Sequence, residues 1–256
     1  MPVDYSTVTE VPGDKATREQ LARMFHRYRF AVDFCKDKDV LEVACGAGQG
    51  LGYLARKARR VVGGDCTDKL VTSAKQYYKN RVELCFLDAQ HIPFGDSSFD
   101  VVILFEAIYY LAQPKEFVNE VHRILRKEGV LLIAMVNKEW SEFNPSPFST
   151  RYLSVPELHQ LLMHNGYRAK FYGGFPAIPE DTKKKITAVI RRIAVKFHLI
   201  PKTMKGKELF KKVFYGKLLP LGSEIEEDMC EYVPPEPVSS DTMNSEYKVI
   251  YSVARV

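Results

Sequence analysis

The chain has 256 residues, enough for one large domain or for a domain with an elaborate insertion, and its 46% hydrophobic and 27% charged content supplies an ordinary globular core. Its five cysteines (Cys35, Cys45, Cys66, Cys85, Cys230) are odd in number and form no CxxC pair, which argues against a disulfide framework or a zinc site and for a reducing compartment. The start of the chain has no basic segment followed by an apolar one, no run approaches 18 apolar residues, and the net charge is only +5, so the expected setting is cytoplasmic.

In chain order, "TREQLARMFHRYRFAVDFC" predicts a helix from Thr17, with Thr17 as N-cap and Gln20 three residues on. Strands follow at 39–44, 60–65, 82–88, 99–105 and 130–136, interleaved with helices at 50–58, 68–80 and 114–129. Pro114 opens the last of these helices and Gly129 stands just past its end. These strands are nearly continuous apolar runs, the signature of burial on both faces, so the expected core is a parallel sheet between helical layers. Another helix is predicted at 154–167. The stretches 168–175 and 246–256, rich in β-branched and aromatic residues, are strands suited to antiparallel pairing at the sheet edge.

Residues 183–217 differ in character, with twelve Lys or Arg and one acidic residue, and an acidic, proline-containing segment follows. The stretch 180–245 reads as a partly helical insertion. Its apolar positions in "ITAVIRRIAVKFHLI" recur at helical spacing, which fits either a basic amphipathic helix on an anionic membrane surface or a cap over the site with solvated lysines. The charge is local and no recognition module is present, so nucleic acid is not the expected partner.

"VLEVACGAGQG" (40–50) places Gly46, Gly48 and Gly50 between a strand and a helix, where backbone amides and a helix N-terminus can cradle a ligand. The spacing is GxGxG, and Leu51 occupies the place of the third glycine of a dinucleotide fingerprint. Glu42, four residues before Gly46, disfavours an anion and suits an ammonium group. Asp65 ends the second strand, where a carboxylate accepts both hydroxyls of a ribose or, alternatively, caps the next helix. Asp88 follows the third strand and can accept from an exocyclic amine. Glu106, Tyr109 and Tyr110 leave the carboxyl end of the fourth strand, facing a ligand or packing locally.

The ordered series "VLEVACGAGQG", "VVGGD", "FLDAQHIPFGDSSFDVVI" and "EVHRILRKEGVLLI" resembles the motif set of class I S-adenosylmethionine-dependent methyltransferases over residues 20 to 175. The resemblance implies an α/β, Rossmann-like three-layer sandwich with a seven-stranded, mostly parallel sheet and an antiparallel last strand. It divides the chain into an N-terminal helical lid (1–36), a cofactor-binding core (37–179), the insertion (180–245) and a final core strand (246–256). By the same resemblance, S-adenosyl-L-methionine lies against Gly46, Ala47 and Gly48, with Glu42 near its amino group. Asp65 meets the ribose, Cys66, Asp88 and Ala89 the adenine, and Tyr28 on the lid helix and Phe105 complete the cofactor contacts. No metal is expected.

The implied reaction is methyl transfer to a small-molecule or glycan acceptor, at oxygen. His26, His91 and Glu106 are the candidate bases, and Tyr109, Tyr110, Arg151 and Tyr152 the candidate acceptor contacts. His122, His159 and His164 sit in amphipathic helices and read as structural. Two other readings stay open: methyl transfer to a lipid or quinone at a membrane surface, and a non-catalytic cofactor-binding protein, against which the intact acids Glu42, Asp65 and Asp88 argue.

Overall fold

A computed structural model describes residues 4–177 and 218–256, and the basic stretch 183–217 lies outside the described residues. After a 3-10 turn at Tyr5–Thr7 the elements are β1 (Lys15–Ala16), α1 (Arg18–Val32), β2 (Asp39–Val43), α2 (Leu51–Ala55), β3 (Arg60–Asp65), α3 (Asp68–Tyr78), β4 (Glu83–Phe86) and β5 (Phe99–Phe105). A second 3-10 turn, Ile108–Tyr110, leads to α4 (Pro114–Ile124), β6 (Leu125–Val136), α5 (Val155–His164), β7 (Arg168–Pro176), β8 (Leu219–Pro220), β9 (Glu236–Val238) and β10 (Tyr247–Arg255).

Eight strands form the main sheet in the order β4-β3-β2-β5-β6-β10-β7-β9. The first five are parallel; β10 runs antiparallel to both β6 and β7, and β9 antiparallel to β7. The expected seven strands are therefore joined by an eighth, from within the stretch assigned to the insertion. Its sequence, "EPV" beside two further prolines, reads as a loop, because proline cannot donate to a ladder. An edge strand tolerates that loss.

Side chains alternate across the sheet with period two, and the two faces bury different helices. Val40, Val101, Ile103, Leu132 and Tyr251 face α1, α2 and α3, whereas Leu41, Val102, Leu104, Leu131 and Ile133 face α4 and α5. By the same alternation Glu42, next to Leu41, turns toward α1. At the amino ends of the strands, Arg59 and Arg126 bridge Asp39 and Asp100 with ion pairs of 2.7 to 3.5 Å, which pins β2, β5 and β6 together away from the site.

Helix starts follow the sequence closely. Thr17 Oγ1 accepts from the Gln20 amide at 3.1 Å while Gln20 Oε1 accepts from the Thr17 amide at 3.0 Å, a reciprocal cap. One helix end does not follow it. Residues 125–129, expected to finish α4, instead begin β6. The carbonyls of Arg123 and Ile124 accept from the amides of Ser97 and Ser98, and Arg126 swings into Asp100 and the Ser98 carbonyl, so the last turn is pulled into the sheet.

Candidate active site

The chain leaves β2 for β3 and β4 on one side, then returns to β5 on the other, so neighbouring strands β2 and β5 form the switch point of the sheet. Ligands of open α/β sheets bind outside the carboxyl ends at such a point. A cavity of about 540 Å³ lies there. Ala44 and Glu106, at the tips of β2 and β5, both take left-handed backbone (φ 56° and 52°), a strained conformation that turns both tips at the cavity wall.

Glu42 is buried at the floor. Its Oε1 accepts from the Tyr28 hydroxyl at 2.6 Å, and its Oε2 is buried without a hydrogen-bond partner. Burial pushes the Glu42 carboxyl up to about 8; Tyr28 and Arg27 counter this in part and Asp65 adds to it. The Tyr28 hydroxyl is itself held far above its usual range by burial and by Glu42. Its ring stands edge-on to Phe105 at 5.4 Å, and a Cβ on Gly50 would overlap it, so Gly50 serves the close approach of Tyr28. Gln49, also buried on the cavity wall, leaves its Nε2 without an acceptor. Arg23 Nε and Arg27 Nε are likewise buried without a partner, so four residues lining the cavity, one with an acceptor and three with donors, carry unpaired polar atoms.

Asp65 is buried at the end of β3, and its two oxygens accept from the amides of Gly46 (2.9 Å) and Thr67 (2.8 Å). Its bond to the Thr67 amide serves the start of α3, where the Thr67 side chain makes no capping bond, and the residue also lines the cavity with lone pairs to spare. Burial raises its carboxyl despite those amides.

Opposite this wall, Glu106 Oε2 accepts from the Tyr109 hydroxyl at 3.0 Å and the Val136 amide at 3.1 Å, while its Oε1 lies 3.5 Å from Arg27. Burial works against the Arg27 charge, but Glu10 at 3.4 Å and Glu106 outweigh it and keep the guanidinium protonated.

Of the residues singled out in the sequence, the cavity brings together Tyr28, Glu42, Gly46, Asp65, Cys66, Asp88, Ala89, Phe105, Glu106, Tyr109 and Tyr110. Six do not line it. Gly48 packs against Leu51, Ala74 and Tyr78 beneath the loop, and Ala47 is buried beside it. His26 points away and bonds the Glu231 carbonyl at 2.9 Å between Phe175 and Tyr232. His91 is exposed, 3.4 Å from Asp88. Arg151 is exposed and pairs with Glu157 at 2.7 Å. Tyr152 stacks behind Tyr109 at 4.3 Å and accepts from the Ser146 amide. As bases, His26 and His91 are therefore out of place: one is consumed by a backbone carbonyl and the other faces solvent.

Sequence reasoning missed Tyr5, Thr9, Glu10, Arg27 and Gln49, all on the cavity wall. Residues 5–10 carry no periodicity to mark them, Gln49 occupies a variable place in the glycine loop, and Arg27 adjoins Tyr28 with no spacing signal of its own. Among the described residues no group of three His, Cys, Asp or Glu could hold a metal ion, and no helix is long and apolar enough to cross a membrane.

A family model for a methyltransferase domain matches residues 41–133, from within β2 into β6, which supply most of the cavity lining. That stretch is a methyltransferase domain, in keeping with the resemblance of its motifs to class I S-adenosylmethionine-dependent methyltransferases. Among relatives of the chain, a "Probable S-adenosylmethionine-dependent methyltransferase" of Mycolicibacterium smegmatis is 36% identical over 149 residues, 56% of this chain and 57% of its own. A "Phthiotriol/phenolphthiotriol dimycocerosates methyltransferase 1" of Mycobacterium ulcerans is 36% identical over 123 residues, 46% of this chain and 44% of its own. The chain thus spans about half the length of the curated relatives it matches. The crystal structure of a SAM dependent methyltransferase from Archaeoglobus fulgidus shares the fold, with a TM-score of 0.60 and 14% identity over 94% of this chain and 95% of that one.

The family's cofactor is S-adenosyl-L-methionine, and the unpaired atoms fit it. An ammonium needs the acceptor that Glu42 Oε2 offers, and a carboxylate needs the donor that Gln49 Nε2 offers.

Proposed function

We propose that this protein transfers a methyl group from S-adenosyl-L-methionine to a hydroxyl of a small-molecule or glycan acceptor. The observation that carries the reading is the pairing of Glu42 Oε2 with Gln49 Nε2, both buried and unpartnered, on the wall of the switch-point cavity. In this reading Glu42 and Gln49 hold the amino-acid end of the cofactor, Asp65 its ribose and Asp88, Ala89 and Cys66 its adenine. The cofactor supplies an already activated methyl group.

The chain's own contribution is alignment and one proton transfer. Phe105 lies on the cofactor side, Tyr109 and Tyr110 wall the acceptor side and keep water out, and holding the acceptor in line is worth about 7–11 kcal/mol. Glu106, held by Arg27 and the Val136 amide, takes the hydroxyl proton, a role worth about 10²–10⁴-fold. The division into lid (1–36), core (37–179), insertion (180–245) and final core strand (246–256) belongs to the same proposal.

A second reading is a lipid or quinone acceptor met at a membrane surface through 183–217. Phe148 favours it: this half-exposed ring stands edge-on to Tyr5 at 6.5 Å, and Tyr5 packs on Tyr110 of the cavity. So does the name of the Mycobacterium ulcerans relative. Calorimetric titration with S-adenosyl-L-methionine tests the core of the proposal, and no binding by folded protein would sink it. Asp65→Ala should weaken that binding. A screen of hydroxylated acceptors with labelled methyl donor then decides the acceptor, and co-sedimentation with anionic liposomes, with and without 183–217, separates the two readings.

A further inference from the structure

Among the described residues, Glu42 is the one carboxyl of the cavity that is both fully enclosed and half-bonded. Its Oε1 is occupied by the Tyr28 hydroxyl, and its Oε2 has no partner. A proton on this group therefore sits on Oε2, the oxygen left without a partner on a residue of the cavity lining. The charged and titratable groups around it are Arg27 and Tyr28 from α1, Cys35 just after α1, Cys45 in the glycine loop, Asp65 at the end of β3 and Tyr78 on α3. Arg27 is the only cation among them, and it is already shared between Glu10 and Glu106. Asp65 accepts from two amides and, as an anion, repels a second negative charge on Glu42.

We propose that Tyr28 and Glu42 form a proton-coupled latch, in which Glu42 is a carboxylic acid before the cofactor binds and releases its proton to solvent as the cofactor's ammonium docks on Oε2. The inference rests on the cofactor reading given above. With the proton in place, Oε2–H and the ammonium are two donors face to face. Once it leaves, the carboxylate accepts from the ammonium on one oxygen and from Tyr28 on the other, and the new cation offsets the burial that kept the group neutral. Tyr28 is a positioning residue here: its hydroxyl fixes which oxygen is free and favours the charged form. Gly50 and Phe105 hold its ring in place for that task.

The sign follows from burial, which pushes the carboxyl up to about 8 before the cofactor binds. Below that pH the proton must be displaced, so affinity should rise about tenfold per pH unit and level off near it. The test is titration of the full chain with S-adenosyl-L-methionine at about pH 6.5, below the range in which α-amino groups titrate. Buffers of different ionisation enthalpy then report the proton count. The expected result is about one proton released per cofactor bound, an affinity that climbs with pH, and loss of both in Glu42→Gln. Tyr28→Phe should keep the release but move the affinity midpoint to higher pH.

Binding with no buffer dependence would overturn the latch and leave the cofactor reading standing. Release that persists in Glu42→Gln would also overturn it, because the proton then comes from elsewhere. Absence of binding at every pH would remove the cofactor reading and the latch together. The buffer series needs only the wild-type protein, so the latch remains testable if the Gln variant does not fold.

Discussion

The carboxylate of Glu106 and the hydroxyl of Tyr109 share a hydrogen bond of 3.0 Å across the turn that leaves β5, with Arg27 on the far side of the carboxylate. Glu106→Gln keeps the size of the side chain and the bond from Val136 but removes the proton acceptor. Methyl transfer to a hydroxyl acceptor should fall by about 10²–10⁴-fold, with cofactor affinity unchanged in calorimetry. Full activity in the variant would return Glu106 to a packing role.

Gly50 is the third glycine of the loop, and its place under the Tyr28 ring sets its sensitivity. Gly50→Ala forces a methyl into that ring, an overpacking that costs about 1–3 kcal/mol. Urea denaturation should show this loss, and cofactor affinity should fall with it as Tyr28 moves off Glu42. Gly50→Ala with wild-type stability would mean that the ring has room to retreat.

Glu42 also makes the cofactor-free protein sensitive to pH. Its folded carboxyl lies near 8 against an ordinary 4.5, so the stability it contributes is complete below the ordinary value and is lost as pH rises through the folded one. Relative to Glu42→Gln, the cofactor-free wild type should lose melting temperature over that window. Scanning calorimetry of the two proteins at matched pH checks this, and parallel curves would place the titration elsewhere.

Much of the fold was legible before any coordinates. The caps of α1 and α5, the continuous apolar strands and the glycine loop depend on neighbours within a few residues, and sequence shows those directly. The final turn expected of α4 and the strand β9 were not legible, because each is decided by partners far along the chain: Ser97 and Ser98 for the first, β7 for the second. The site divides in the same way. Glu42, Asp65 and Glu106 stand at strand ends, where position alone aims a side chain at the cavity. Arg27 and Glu10 are brought there by tertiary packing. His26 was misread because its carbonyl partner lies at Glu231, more than 200 residues away.

His26 makes that last point measurable. The Glu231 carbonyl can only accept, so Nε2 carries the hydrogen, and burial lowers the ring's readiness to take a second proton. His26→Ala should cost about 1–3 kcal/mol by stranding that carbonyl, seen in urea denaturation, with cofactor affinity intact. A loss of affinity without a loss of stability would put the ring back at the site.

The helix that carries Arg27 and Tyr28 is fastened from several directions. Its entry is paired through Lys15 and Ala16 to Pro220 and Leu219, its middle is bonded to Glu231, and Glu19 is bonded to Lys248 of β10. Swinging it aside as a flap would break all of these at once. The 3-10 turn Tyr5–Thr7 is attached more lightly, through the Tyr5 ring contacts with Tyr110 and Phe148 and the exposed Asp4–Lys69 pair. The cheapest doorway into the cavity therefore runs past Tyr5 and not under the helix.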